Sequence, residues 1–388
     1  MDRMENTAWV FAFLVLLGHT QVVIFAHNRF YGLPLGHKTI DLIQFIHFLW
    51  LLLGPLVLWF LWSGQIPNSG TRDPEWLRAL LWGFATLGLL GPPIDLFLRA
   101  RRRRMSFVSH RAPIASVQAE DPRELAGTGT WARIARLPGN RSLRPVLDRA
   151  EVSIVGLPKV LDGLTILHLS DLHVQKTPNA LFFERAAEEL AAYEPDLICL
   201  TGDLVEKGGT SHAEVFRAFL QKFKFREAGL AILGNHDFWH PIGPTLKVLS
   251  DLGYQHLGNQ RRTVRVRGIE VSLWGLEYPW NPELPQGWNQ RLGEWTLCLS
   301  HTPDHFPMFA KLGSGLMLAG HVHGGQIRFP VIGPIIMPSV HGRKFDQGWF
   351  RRKDAYLHVS QGLSAGHPLR FGCSPGASLI TLRCANES

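Results

Sequence analysis

The stretch Gly320–Gln326, GHVHGGQ, places two histidines on alternate residues among three glycines. A histidine buried for packing needs one hydrogen-bond partner and no bare backbone beside it. Alternate imidazoles among glycines suit the wall of a site that another group enters, with the glycines letting backbone and substrate come close. Five upstream groups have the same character: Asp171 and His173 in DLH, Asp203 in GD, Asn235 in GNHD and His301 in SH. Together with His321 and His323 they offer carboxylate, imidazole and amide oxygen, and no thiolate. That donor set suits Mn²⁺, Fe or Zn²⁺ at a catalytic centre rather than a structural zinc site. Seven ligands exceed what one ion with an open position needs. Two ions about 3.5–4 Å apart, bridged by a shared carboxylate, would use them all, and such a pair favours in-line attack on phosphorus.

In order, these motifs read D-x-H, G-D, G-N-H-[DE], H and G-H-x-H. They resemble the signature of the calcineurin-like metallophosphoesterase family, with ligands between Leu164 and His323 and a likeness that runs on toward Cys384. The resemblance implies an α/β fold, a four-layer α-β-β-α sandwich. It implies one divalent metal on Asp171, His173, Asp203 and His323, and a second on Asp203, Asn235, His301 and His321. Manganese is the expected ion, with iron or zinc as alternatives. His236 would protonate the leaving group, oriented by Asp237. The segments GHVHGGQIRFPVIGPIIMPS, FDQGWF and GLSAGHPLRFGCSPGASLITL are similar to membrane-associated bacterial members, except that Pro375-Gly376 stands where that tail usually has Pro-Glu. Arg370 matches an arginine near the rim and is a candidate for binding phosphate, a plain surface arginine being the other reading. Phe238 and Trp239 follow the ligands directly, and Trp280 and Trp288 lie in the Pro- and Asn-rich loop 276–293. These four aromatics are candidates to receive an apolar part of the substrate, the alternative being packing anchors.

Such groups must be carried by rigid elements. LTILHLS, PDLICLTGD, AGLAILGNHD, EWTLCLSH and GLMLAGHVH are apolar runs of strand length, each finishing at a candidate ligand. That pattern gathers the ligands on one rim of a sheet, where α/β folds build their sites. The stretch 179–192 has a helical apolar stripe and is expected to face the core.

The first hundred residues are different in kind. The chain has 388 residues, a net charge of +8 and three long apolar runs, at 9–26, 40–62 and 76–98. Each is about long enough to cross a bilayer; for the first, a cleaved signal peptide is the alternative. The third contains Gly91-Pro92-Pro93, where a helix is expected to kink or end. RARRRR follows at 99–104. With three spans, that run and loop 27–39 share one side and carry seven Lys/Arg, against two in the N-terminal tail and loop 63–75. The asymmetry puts the large C-terminal part on the cytoplasmic face of an inner membrane. Arginines continue through Arg111, Arg123, Arg133, Arg136, Arg141 and Arg144, a collar for anionic lipid head groups rather than nucleic acid. The expected organisation is a membrane domain at 1–104, a linker rich in Ala, Pro, Gly and Arg at 105–150, and a catalytic domain at 151–388. Four cysteines without paired spacing read as free thiols.

The expectation is a membrane-anchored hydrolase of a lipid-linked phosphodiester or pyrophosphate. It resembles members that cleave UDP-2,3-diacylglucosamine in lipid A synthesis. The rivals are a hydrolase of a small soluble or envelope phosphoester and a catalytically dead membrane scaffold. A nuclease would rest on the pI alone.

Overall fold

The computed structural model describes residues 2–62, 75–102, 108–206, 210–284, 286, 287, 290 and 294–385. They divide into two compact units: Met1–Arg103 with Pro338–Lys344, and Arg104–Met337 with Phe345–Ser388.

The first unit is three helices, α1 (Asp2–Tyr31), α2 (His37–Trp62) and α3 (Glu75–Arg102). Each contains a window long and apolar enough to cross a membrane, at Thr7–Tyr31, His37–Phe60 and Glu75–Ala100. Helices α1 and α3 meet backbone to backbone. A Cβ on Gly18 would stand 1.8 Å from the Phe84 carbonyl oxygen, and one on Gly88 2.1 Å from that of Leu14. Small residues at such crossings are how spans pack without a hydrophobic drive between them. The helix does not end at Pro92-Pro93: α3 continues through both prolines. Proline removes a helical hydrogen bond, a loss that membrane helices tolerate when neighbouring groups supply replacements. Pro338–Lys344 packs on this unit: the Ser339 N–H donates to the Asn28 carbonyl at 3.3 Å, and Arg343 pairs with Asp95.

The second unit carries β1 (Val108–Pro113), β2 (Val146–Ile154), β3 (Thr165–Leu169), β4 (Leu197–Thr201), β5 (Ala228–Ile232), β6 (Tyr254–His256), β7 (Arg261–Val266) and β8 (Ile269–Leu276). It continues with β9 (Thr296–Ser300), β10 (Gly315–Ala319), β11 (Arg328–Phe329), β12 (Gly333–Pro334), β13 (Gly348–Arg352), β14 (Ala355–Val359) and β15 (Gly376–Cys384). One sheet has the order β1-β2-β15-β3-β4-β5-β6 and the other β13-β14-β10-β9-β8-β7, with β11 and β12 a separate hairpin. Strands β3, β4, β5 and β6 are mutually parallel, as are β8, β9, β10 and β14.

The apolar runs are continuous because both faces of these strands are covered. In β4, Leu197 and Cys199 face the other sheet, while Ile198 and Leu200 face the helices outside. In β10, Leu316 and Leu318 turn inward, while Met317 and Ala319 meet the outer helix Phe306–Leu312. Period-two alternation thus feeds three cores: helices on sheet, sheet on sheet, and sheet on helix. These are the layers of an α-β-β-α sandwich. The helix Ala180–Ala191, capped by the Asn179 side chain, packs Phe182, Phe183, Ala186, Ala187 and Leu190 into the first core, as its stripe requires.

The segment expected as a linker, 105–150, is instead part of this unit. Its described residues give β1, which pairs antiparallel with β2, and three short helices whose Val117, Leu125 and Ala132 are fully buried. These apolar residues join the helix-side core, and composition alone hid them among Pro, Gly and Arg.

Candidate metal centre

Strands β3, β4, β5, β9 and β10 each deliver their ligands from the C-terminal end, as the sequence implies. The ligand atoms of Asp171, His173, Asp203 and His323 lie within 4.8 Å of one another, and so do those of Asp203, His301 and His321. Asp203 is common to both groups. The Asn235 Oδ1 completes the second, 3.1 Å from His301 Nε2. All seven residues singled out in the sequence therefore converge on one place.

Five of the seven hold left-handed backbone: Asp171 (φ 50°), His173 (φ 42°), Asp203 (φ 52°), His321 (φ 70°) and His323 (φ 49°). Each costs roughly 1–2 kcal/mol for a residue with a Cβ, and such strain concentrates at functional sites. The turns it produces are locked to one another. The Asp171 N–H donates to the Gly202 carbonyl and the His173 N–H to that of Asp203, at 3.0 and 2.9 Å. The His321 N–H donates to the Asp171 carboxylate and the His236 N–H to Asp203 Oδ1, at 3.0 and 2.8 Å.

The donor set has the polarity of a cation site. His301 Nδ1 hydrogen-bonds the Thr201 carbonyl at 2.7 Å, and His173 Nδ1 hydrogen-bonds Glu206 at 2.5 Å. Each ring's proton is thereby held on the far nitrogen, and each Nε2 lone pair faces Asp203 Oδ2, at 3.4 and 3.5 Å. Lone pairs converging on a carboxylate need a positive charge between them. Without a metal, protons supply it. Burial alone would lower His173 and His301, but the surrounding carboxylates raise both to about 9. Burial would likewise raise Asp203, yet the histidines around it hold it well below the usual carboxylate range. His321 and His323 are pushed down by burial and by neighbouring histidines, so they stand neutral as ligands require.

Glu206 was not singled out in the sequence. Its carboxylate serves two histidines, bonding His173 and lying 2.9 Å from His236 Nδ1, off the line of a well-directed hydrogen bond. Burial would raise Glu206, but the two imidazoles hold it far below its ordinary value. The expected partner of His236, Asp237, faces away. Its oxygens accept from the N–H groups of Leu204, Val205 and Gly234 at 2.8 to 3.2 Å, tying the loop after β4 to the start of the helix Asn235–Phe238. A carboxylate one residue beyond a helical histidine cannot share its direction, whereas Glu206 arrives from another loop. Burial and the nearby Asp203 charge push Asp237 up to about 6, against the pull of those N–H groups.

The glycines beside the histidines serve packing within the protein rather than access for a substrate. A Cβ on Gly320 would stand 1.8 Å from Ser170 Oγ, and one on Gly325 2.2 Å from Pro334 Cβ. Arg370 is not a surface arginine. It is fully buried, donating to the carbonyls of Gln361 (2.8 Å) and Ser364, with Nη2 3.3 Å from His323 Nδ1. Those bonds tie Arg370 to the His323 loop. Phe238 packs against the helix-side core. Trp239 stays beside His236, ring centroids 4.3 Å apart, and Trp280 lies over His301 and His321 at 5.2 and 4.9 Å. Trp288 falls outside the described residues.

Residues 164–325 match the calcineurin-like phosphoesterase family. The chain is 29% identical over 238 residues to the metallophosphoesterase YkuE of Bacillus subtilis, covering 59% of this chain and 82% of that protein. It is 28% identical over 224 residues to the phosphodiesterase YaeI of Escherichia coli, covering 56% and 81%. A more distant likeness, 23% over 316 residues, covers 63% of this chain and 92% of the UDP-2,3-diacylglucosamine pyrophosphatase LpxG of Chlamydia trachomatis. With its ligand clusters at the strand ends, the chain carries a calcineurin-like metallophosphoesterase domain related to these bacterial proteins.

Proposed function

We propose that the protein is a membrane-tethered two-metal hydrolase of a lipid-linked phosphodiester or pyrophosphate, of the UDP-2,3-diacylglucosamine type. The observation that carries the reading is the pair of ligand clusters sharing Asp203 in a chain with three apolar helices long enough to span a membrane. Asp171, His173, Asp203 and His323 would hold one divalent ion, and Asp203, Asn235, His301 and His321 the other, with Mn²⁺ the first candidate and Fe or Zn²⁺ accepted by the same donors. When bound, the pair would supply the charge that activates water and neutralises the oxyanion at phosphorus. Glu206, 2.9 Å from His236 Nδ1, orients that ring and leaves the opposite nitrogen for the leaving-group oxygen. His236 is thus the general acid and Glu206 its positioning partner. Asp237 fixes the backbone on which both ligand loops rest.

Trp280 and Trp239 offer apolar surface at either side of the metal ligands, as a nucleobase or acyl chain would need. The distant likeness to a protein named for UDP-2,3-diacylglucosamine supports the lipid reading, and the seven-to-two arginine and lysine asymmetry of the loops supports a cytoplasmic catalytic unit. The experiment compares kcat/KM of the full-length protein in micelles for UDP-diacylglucosamine and for its deacylated analogue. A clear gain from the acyl chains is expected; no gain would remove the lipid from the proposal and return the tryptophans to packing.

A further inference from the structure

Past the histidine pair the chain reads IRFPVIGPIIMPS, residues 327–339, with Arg328 its only charge. That charge is turned inward: Arg328 donates to the Gly324 carbonyl at 2.7 Å and to Asp346 at 2.9 Å, leaving its side chain 9% exposed. The surface left to water is apolar. Phe329, Ile332 and Ile336 are about half exposed, at 48%, 48% and 50%, and Val331 at the tip is 83% exposed.

This hairpin is built, not frayed. Its strands pair Arg328 with Pro334 and Phe329 with Gly333. The Arg328 N–H donates to the Phe371 carbonyl at 2.8 Å, and Pro334 fits the space left by Gly325, two residues after the ligand His323. At the tip the Ile332 N–H closes a three-residue turn on the Pro330 carbonyl, with Val331 at φ 65°. A β-branched residue in left-handed backbone is a rare outlier, and turns facing water take Gly, Asn or Asp there. Val331 combines the poorer backbone choice with the greatest exposure of the hairpin. The combination makes sense where the tip leaves water.

Chain continuity names the occupant. Ser339, which bonds Asn28 near the end of α1, follows Ile336 by three residues, at most about 10 Å of chain. Arg343, a little further on, pairs with Asp95 in α3. An apolar loop without exposed charge is therefore joined, within three residues, to a segment that bonds to helices long and apolar enough to span a bilayer. We propose that the hairpin 327–336 dips into the lipid surface, with Val331 and Ile332 at the boundary of head groups and acyl chains. Its base, packed on the His323 loop, would then hold the metal centre at the face where lipid-borne esters sit. The docking stands on the hairpin and its tether; its use for a lipid substrate rests on the proposed function.

The test uses full-length protein in lipid nanodiscs, in a Cys384→Ser background, because Cys199, Cys298 and Cys373 are buried. Val331→Cys carries a polarity-sensitive fluorophore, and exposed Lys222→Cys is the control. In the discs the label at 331 should emit to the blue of that at 222, and doping with spin-labelled lipid should quench the label at 331 and leave that at 222 unchanged. This readout needs no hydrolysis, so it survives even if the enzyme reading fails. Water-like, unquenched emission at both positions would overturn the proposal. A label at 331 that is shielded from water yet blind to quencher lipid would assign the patch to a protein partner or a second copy, and would overturn it equally. In support, Val331→Asp should leave turnover of a soluble aryl phosphodiester unchanged; a loss there would mean that the hairpin shapes the site itself.

Discussion

Replacing Glu206 separates its two roles. Its carboxylate accepts from His173 Nδ1 and lies beside His236 Nδ1. Glu206→Gln keeps an acceptor for one ring and removes the charge. Hydrogen bonds to charged groups contribute about 1.5–3 kcal/mol and neutral ones about 0.5–1.5 kcal/mol, so the difference of about 1–1.5 kcal/mol should weaken metal at the His173 site by roughly tenfold. Glu206→Ala leaves the buried His173 N–H without a partner and should cost up to about 100-fold, the range for groups that orient a metal-bound histidine. The assay is dialysis against buffered free Mn²⁺ followed by elemental analysis, with hydrolysis then measured at saturating metal. Refilling the site should leave Glu206→Gln slow on alkyl phosphodiesters, because His236 has still lost its charged neighbour. Wild-type metal affinity in both variants would refute the positioning role of Glu206. Full activity at saturating metal would refute its action on His236.

His236→Ala should lower kcat on a simple alkyl phosphodiester by about 10²–10⁴-fold, the range for general acid catalysis, and lower it less on a pyrophosphate, whose leaving phosphate needs no proton. Equal losses on both would make His236 a phosphate-binding group. The buried pair His168 and His358, Nδ1 atoms 2.9 Å apart across the two sheets, predicts acid lability. Burial pushes His358 down to about 4 and His168 well below its ordinary value. Folded values beneath the unfolded one mean stability that is full above about pH 6.5 and is lost as pH falls toward 4, at about 1.4 kcal/mol per pH unit for each ring. Denaturant unfolding of the full chain and of His358→Gln between pH 7 and 5 checks this: the variant should show the shallower slope, and parallel slopes would contradict it.

The convergence of the seven candidate ligands was legible because each follows an apolar strand-length run, so a local pattern carries a long-range one. Glu206 was not, although it stands three residues beyond the shared Asp203. Its role depends on how the loop after β4 returns beneath two histidines from other strands, and no periodicity encodes that. An acidic residue three positions after Asp203 was the available signal. Asp237 failed for the opposite reason, since adjacency in sequence suggested a partnership that helical geometry forbids. The burial of Arg370 and the close packing at the glycines were hidden because both are set by the tertiary neighbours Gln361, Ser364, Ser170 and Pro334. The spans were readable from length and apolarity, whereas close approach at Gly18 and Gly88 resolved only once α1 and α3 were paired.

The central claim is that two metal ions share Asp203 and that hydrolysis depends on both. Metal content and aryl phosphodiester turnover, measured on the same full-length preparations of wild type and Asp203→Ala, test it most directly. The expected result is two equivalents per chain in the wild type, activity lost to chelator and restored by Mn²⁺, and loss of both metal and turnover in Asp203→Ala. At most one equivalent in the wild type, or turnover indifferent to chelator, would contradict it.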